Sequence, residues 1–124
     1  MPHSIRWLTC ILLVGALAAC SSEDEEEEEE LPEVDCSATI PSFDQVTAFS
    51  QVCTNCHSTT LSGEDRNGAP AAINWDDYAS AKAHAEEGAH EVFEGEMPPE
   101  DSGETLTADQ KDDLYLWALC GTPE

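Results

Sequence analysis

The feature that most limits the fold of this 124-residue chain is the short stretch Cys53-Thr54-Asn55-Cys56-His57. It places two thiols three positions apart and an imidazole directly after the second thiol. Proteins use such an arrangement for covalent haem attachment, as part of a metal site, or as a redox-active disulfide. These uses need different surroundings, so the compartment of the chain and the elements around the motif decide among them.

The N-terminal residues 1–19 are typical of a secretory signal. An apolar run from Leu8 to Ala19 follows the single basic residue Arg6 and is too short to span a bilayer. The run ends in Leu17-Ala18-Ala19-Cys20, which resembles the lipobox of bacterial lipoproteins. The resemblance implies that the mature protein begins at Cys20, carries lipid on that thiol and is exported to a bacterial membrane. An ordinary secreted protein cleaved near Ala19 is the alternative.

Residues 20–35 are expected to form an acidic, disordered tether. Six consecutive glutamates, Glu25 to Glu30, repel one another and bring no apolar surface that could offset the entropy of ordering. An extended segment of this length reaches at most ~50 Å. It would hold the remaining residues, 36–124, as a single small domain away from the membrane surface.

The domain of residues 36–124 is strongly acidic and lacks strand patterns. It carries Arg66, Lys82 and Lys111 against seventeen acidic residues. That balance argues against nucleic-acid binding, which needs basic patches. A protein partner would offer a basic docking patch to this surface. Because no segment alternates as a half-buried strand does, the sequence predicts an all-α fold.

Two cysteines remain at the ends of the domain, Cys36 and Cys120. An exported chain meets an oxidising compartment, so this pair predicts a disulfide. The bond would close a loop of more than eighty residues and stabilise the fold by ~4 kcal/mol. Two free, buried cysteines are the alternative.

These surroundings favour haem attachment for the central motif. A thioredoxin-like disulfide needs a βαβ pattern, and a structural zinc site needs four ligands, whereas His84 and His90 are six residues apart. In a c-type site, Cys53 and Cys56 add to the two vinyl groups of the porphyrin, and His57 coordinates the iron. One covalent haem c is therefore the expected cofactor.

A sixth iron ligand is offered by Met97, which precedes Pro98 and Pro99. Proline pushes the residue before it out of helical geometry, so the pair predicts an extended, stiff segment that presents the thioether. A soft sulfur ligand opposite histidine raises the reduction potential of the iron. The alternative is that Met97 fills a gap in the core.

With Met97 included, the domain resembles the class I cytochromes c, in particular small modules with a Gly-x-Met-Pro-Pro loop, here Gly95-Glu96-Met97-Pro98-Pro99. The match covers most of residues 41–121. It implies a small cytochrome c-like fold of three to four short helices around a covalent haem. It also implies that Cys53 and Cys56 are the thioether attachments and that His57 and Met97 are the axial ligands. The end cysteines and the acidic surface depart from many family members.

Capping signals place the helices around the motif. Ser42 with Gln45, and Thr107 with Gln110, form two capping boxes that begin the first and last helices. The first helix carries an apolar stripe into the motif, formed by Phe43, Val46, Phe49 and Val52. The last helix ends at Gly121, brings Cys120 to its end and buries Leu114, Trp117 and Ala118.

Between these helices the sequence predicts a loop over residues 62–72, followed by a middle helix. Asn74 is the expected cap of that helix, and Gly88 is a candidate break within it. Trp75 and Tyr78 begin its apolar face, where either could hydrogen-bond a haem propionate or belong to the core. His90 is a rival sixth ligand, although a surface histidine among glutamates is the more ordinary reading.

The resemblance implies a membrane-anchored monohaem cytochrome c on the periplasmic side or the cell surface. It would carry single electrons between redox protein partners by outer-sphere transfer, with no catalytic residue, so it would not be an enzyme. Ser21 after Cys20 favours the outer membrane. Two other functions stay open: a haem enzyme or gas or peroxide sensor with a labile distal ligand, and a non-haem structural lipoprotein with a zinc or disulfide site.

Overall fold

The computed structural model describes residues 30–124. Within that part of the chain the regular structure is helical and contains no strand, so the predicted all-α class is confirmed. The α-helices are α1 (Thr47–Gln51), α2 (Tyr78–Ala83), α3 (Ala85–Glu94) and α4 (Ala108–Leu119). Short 3₁₀ turns lie at Phe43–Gln45, Cys53–Asn55, Gly63–Arg66 and Glu100–Ser102. The signal, Cys20 and most of the tether lie outside the described residues.

The first capping box begins a turn rather than the helix itself. The backbone N–H of Ser42 donates to the Gln45 side chain at 2.9 Å and closes the 3₁₀ turn. Helix α1 starts two residues later, at Thr47. The predicted stripe is largely buried, because Val46 and Phe49 are almost fully enclosed and Val52 is buried at the start of the motif.

The cap of the middle helix is Asp77, not Asn74. The Asp77 side chain accepts from the backbone N–H of Ser80 at 2.8 Å, and α2 begins at Tyr78. The Asn74 side chain is unavailable for capping because its oxygen accepts a hydrogen bond from Arg66 at 3.0 Å. A tertiary contact therefore moves the start of the helix.

The middle helix breaks at His84 rather than at Gly88. His84 has non-helical backbone angles and separates α2 from α3. Gly88 lies inside α3, where a Cβ atom would come within 2.5 Å of the Trp75 ring. Gly88 therefore serves a close approach between a helix backbone and an aromatic ring.

Helix α4 follows the prediction closely. Thr107 and Gln110 form the expected capping box, and the Gln110 backbone N–H donates to the Thr107 hydroxyl at 3.2 Å. Leu114 and Trp117 are buried where α4 packs against α1 and α3. The Trp117 indole N–H donates to the carbonyl of Pro123 at 2.8 Å, which turns the C-terminal residues back onto the helix.

An aromatic cluster forms the centre of the core. Phe49 stacks on Trp75 at 4.9 Å between ring centroids, and Trp117 meets Phe49 edge-on at 5.0 Å. Phe43 joins the cluster from the first turn and contacts the Tyr78 ring at 5.6 Å. These contacts fix α4 and the chain before α2 against α1.

The disulfide predicted between Cys36 and Cys120 is confirmed. The bond joins residues 84 positions apart, with the two Cα atoms 5.4 Å from each other. Just before it, Leu31 and Val34 pack against the core, so the packed region extends into the segment expected to be a tether. No helix within residues 30–124 has the length and apolarity needed to cross a bilayer.

Candidate functional site

A largely apolar cavity brings together the four residues predicted to bind the cofactor. Cys53, Cys56, His57 and Met97 all line it, and the empty space, including its open mouth, is about 830 Å³. Apolar side chains supply most of the remaining wall, namely Val52, Ala69, Pro70, Trp75, Val92, Pro98, Pro99, Leu106 and Leu114. Residues more than forty positions apart in sequence therefore share one surface.

The two thiols are held by a single tight turn. The backbone N–H groups of Cys56 and His57 both bond to the carbonyl of Cys53, at 3.3 and 2.9 Å. Neither thiol is in a disulfide. Cys53 is half-buried, and burial is the main reason that the pKa of its thiol is raised to about 12. A thioredoxin-like redox cysteine has a depressed pKa, so this environment does not suit that chemistry.

His57 is held as a neutral imidazole with one defined tautomer. Its Nδ1 lies 3.2 Å from the carbonyl of Ile73, which can only accept, so Nδ1 carries the proton and Nε2 keeps a free lone pair. Burial lowers the pKa of His57, a hydrogen bond to Ile73 opposes this, and the positive charge of Arg66 adds to the lowering. A neutral histidine fixed through its second nitrogen is the usual state of a metal ligand.

The chain after His57 is anchored to Asp76. The Asp76 carboxylate accepts from the Ser58 hydroxyl at 2.7 Å, and from the Thr59 backbone and hydroxyl at 2.9 and 2.8 Å. Burial acts to raise the pKa of Asp76, but these hydrogen bonds outweigh it and lower the pKa. In addition, the Trp75 backbone N–H donates to the carbonyl of His57 at 2.8 Å. Hydrogen bonds therefore hold both the backbone of His57 and the residues directly after it.

Met97 reaches the cavity because of how α3 ends. Gly95 takes a left-handed conformation at φ +81° and donates to the carbonyl of Val92. The N–H groups of Glu96 and Met97 both donate to the carbonyl of Glu91, at 2.9 and 3.0 Å. This is a Schellman-type helix end, which favours glycine at the left-handed position. It turns the chain sharply and leaves Met97 half-buried at the cavity wall.

The segment after Met97 is less extended than predicted. The chain bends at Met97 and Pro98, and Pro99, with φ −59° and ψ 142°, precedes the next turn. A 3₁₀ turn follows at once, closed by the Ser102 backbone N–H on the Pro99 carbonyl at 3.0 Å. Both prolines nevertheless line the cavity beside Met97.

The rival histidines are used elsewhere. Nδ1 of His84 lies 3.0 Å from the Glu87 carboxylate and Nδ1 of His90 lies 3.1 Å from the Glu94 carboxylate, and neither histidine lines the cavity. Residues 30–124 contain no group of three or more histidine, cysteine or acidic side chains placed to hold a metal ion. A structural zinc site, which needs four ligands, therefore has no support in this part of the chain.

Trp75 and Tyr78 have separate roles. Trp75 is buried in the aromatic cluster and also lines the cavity. The Tyr78 hydroxyl donates to the carbonyl of Thr122 at 2.8 Å, so Tyr78 belongs to the core.

Sequence reasoning missed Arg66, which is buried behind His57. The available signal was that it is the only arginine after the signal segment.

Comparison of the chain with protein-family models, with curated proteins and with solved structures finds no match. The resemblance to class I cytochromes c therefore depends on the sequence motifs of this chain alone.

Proposed function

We propose that this protein is a monohaem c-type cytochrome that carries single electrons outside the cytoplasm. The observation that supports this most is the convergence of Cys53, Cys56, His57 and Met97 on one apolar cavity, with Nε2 of His57 left free. Two thiols, an imidazole and a thioether are the donor set that haem c requires.

The cavity suits a large, flat, apolar group. Its wall is mostly apolar, as is usual for cofactor pockets. Small or rigid residues in the wall, Gly68, Ala69 and Pro70 on one segment and Pro98 and Pro99 on another, would let the backbone approach a planar ligand closely. The lining thus agrees with the donor set.

Each residue of the site has a defined task in this proposal. The thiols of Cys53 and Cys56 would hold the porphyrin through two thioether bonds, each formed by adding S–H across a vinyl group. His57 would supply Nε2 to the iron, and the Met97 thioether would stabilise the reduced state and so raise the potential. The bound iron would supply the one-electron redox couple. The chain then has only to exclude water, hold the ligands and expose a cofactor edge, so no side chain acts as an acid or base.

The surroundings of the site determine how it would be used. Cys20, which lies outside the described residues, would carry the lipid anchor, and the acidic segment after it would extend the domain from a bacterial membrane, most simply the outer one. The formal net charge of the whole chain is −23. A redox partner would therefore present a basic patch, and docking would weaken as salt is added.

Expression with haem-maturation machinery tests the proposal. Haem staining after denaturing electrophoresis should label the wild-type chain and should fail for Cys53→Ser/Cys56→Ser. The matched control is Cys36→Ser/Cys120→Ser, which removes the other two cysteines of the domain and should keep the stain. An unstained wild-type chain would point to the non-haem lipoprotein instead.

The state of the iron separates a carrier from an enzyme or sensor. With Met97 bound, the oxidised protein should show a weak sulfur-to-iron absorption band in the far red, and Met97→Ala should abolish it. The reduced wild-type protein should bind carbon monoxide slowly or not at all. Rapid binding would indicate an open iron position and favour the enzyme or sensor.

A further inference from the structure

Arg66 is a buried cation for which electron transfer by itself gives no reason. Its side chain is 5% exposed, and within the described part of the chain no carboxylate forms an ion pair with its guanidinium. Burying an unpaired charge is costly unless hydrogen bonds replace the lost water. Those hydrogen bonds show what the residue does.

All five N–H groups of the guanidinium have acceptors in one loop. Nε donates to Ala69 at 3.2 Å, and one terminal nitrogen donates to the carbonyl of Ser58 at 2.6 Å and to the Asn74 side chain at 3.0 Å. The other terminal nitrogen donates to the carbonyls of Pro70 and Ile73, at 2.7 and 2.9 Å. Arg66 therefore organises residues 58–74, where few carbonyls have helical partners.

One of these acceptors connects Arg66 to the candidate iron ligand. The carbonyl of Ile73 accepts from the guanidinium at 2.9 Å and also lies 3.2 Å from Nδ1 of His57. The carbonyl that fixes the tautomer and orientation of the imidazole is thus itself held by Arg66. A guanidinium keeps its charge at all ordinary pH values, so a permanent positive charge lies one carbonyl away from His57.

We infer that Arg66 is a positioning residue for His57. Arg66 holds the imidazole through the Ile73 carbonyl and raises the reduction potential of the iron that His57 would bind. This inference rests on the proposed function. The direction follows from charge, because a positive charge behind the ligand disfavours the more positive, oxidised iron.

The test compares three variants of the haem-loaded protein by redox titration. Arg66→Gln removes the charge and most of the donors, and should lower the equilibrium constant for reduction by about tenfold, which is 59 mV for one electron. Arg66→Lys keeps the charge without the five-donor fork, and should lower the potential less than half as far. Lys82→Gln removes an exposed charge as a control and should leave the potential unchanged.

A second readout reports position rather than charge. Exchange of the His57 Nδ1 proton with solvent, followed by NMR in the reduced protein, should quicken by about tenfold or more in both Arg66 variants because the Ile73 carbonyl is released. If Arg66→Gln does not assemble, Arg66→Lys decides by this measurement, and unchanged exchange overturns the inference. A haem-loaded Arg66→Gln protein with the wild-type potential also overturns it. Wild-type protein without haem overturns the proposed function first and this inference with it.

Discussion

Gly88 lies in the middle of α3 directly against the ring of Trp75. A Cβ atom added there would stand 2.5 Å from two carbons of the six-membered part of the indole. Ordinary carbon–carbon contacts are about 3.5–4.0 Å, so Gly88→Ala requires the ring or the helix to move by roughly 1 Å. The ring is 7% exposed and stacks on Phe49, which in turn meets Trp117, so the movement would be passed into the core.

The expected cost follows from two opposing effects. Overpacking of a closed core costs about 1–3 kcal/mol, whereas alanine in place of glycine inside a helix contributes about 1 kcal/mol. The net cost is therefore about 0–2 kcal/mol, and because the contact is so short we expect Gly88→Ala to lower the free energy of unfolding by about 1–2 kcal/mol. In a domain of this size the melting temperature should fall by about 5–15 °C.

A double-mutant cycle, measured by urea unfolding of the haem-loaded protein, tests the reasoning. Trp75→Phe removes the two ring carbons that the new Cβ would meet while keeping an aromatic ring to stack on Phe49. In that background Gly88→Ala should stabilise by about 0.5–1 kcal/mol, because only the helix preference remains. Equal destabilisation in both backgrounds would refute the assigned contact between Gly88 and Trp75.

Three further predictions concern the disulfide, the distal ligand and the anchor of the motif. Cys36→Ser/Cys120→Ser should lower the free energy of unfolding by about 4 kcal/mol, from the 84-residue separation and the entropy of the opened chain; a loss under about 1 kcal/mol in urea titrations would contradict this origin. Met97→Ala should lower the reduction potential in a redox titration, because the soft ligand that favours reduced iron is lost; an unchanged potential would exclude Met97 from the iron. Asp76→Asn should destabilise by about 0.5–1 kcal/mol at neutral pH. The pKa of Asp76 is lowered in the folded state. Its contribution to the free energy of unfolding is therefore present above the unfolded pKa, about 3.9, and is lost as the pH falls through the folded pKa. The stability curves of wild type and variant should converge below about pH 4, and a constant difference would argue against the carboxylate as the cause.

Local sequence signals were sufficient where the partners lie within a few residues of one another. Thr107 and Gln110 form their capping box because both halves of it belong to the same helical turn. The disulfide between Cys36 and Cys120 was predictable for a different reason, since cysteine count and compartment left these two residues as a pair. The helical class followed from the spacing of apolar residues, because no segment alternates as a half-buried strand does.

Sequence signals failed where a distant side chain competes for the same group. Asn74 and Asp77 are both capable caps, and Asp77 takes the role because the Asn74 oxygen is occupied by Arg66. A glycine inside a helical pattern suggests a break, yet Gly88 allows a close contact with Trp75, and the break occurs at His84. Nothing in the short windows around these residues could have distinguished the outcomes.

The sequence by itself determined the turn that holds Cys53, Cys56 and His57, because the reach of five residues leaves little choice of geometry. The helix end at Gly95 that precedes Met97 is local too, because its hydrogen bonds join residues within 91–97. Only the tertiary structure decided that Met97 shares a cavity with His57, and that the carbonyl of Ile73 is held by the buried Arg66. Such contacts join residues far apart along the chain, and their positions depend on the packing of the whole domain rather than on any local pattern.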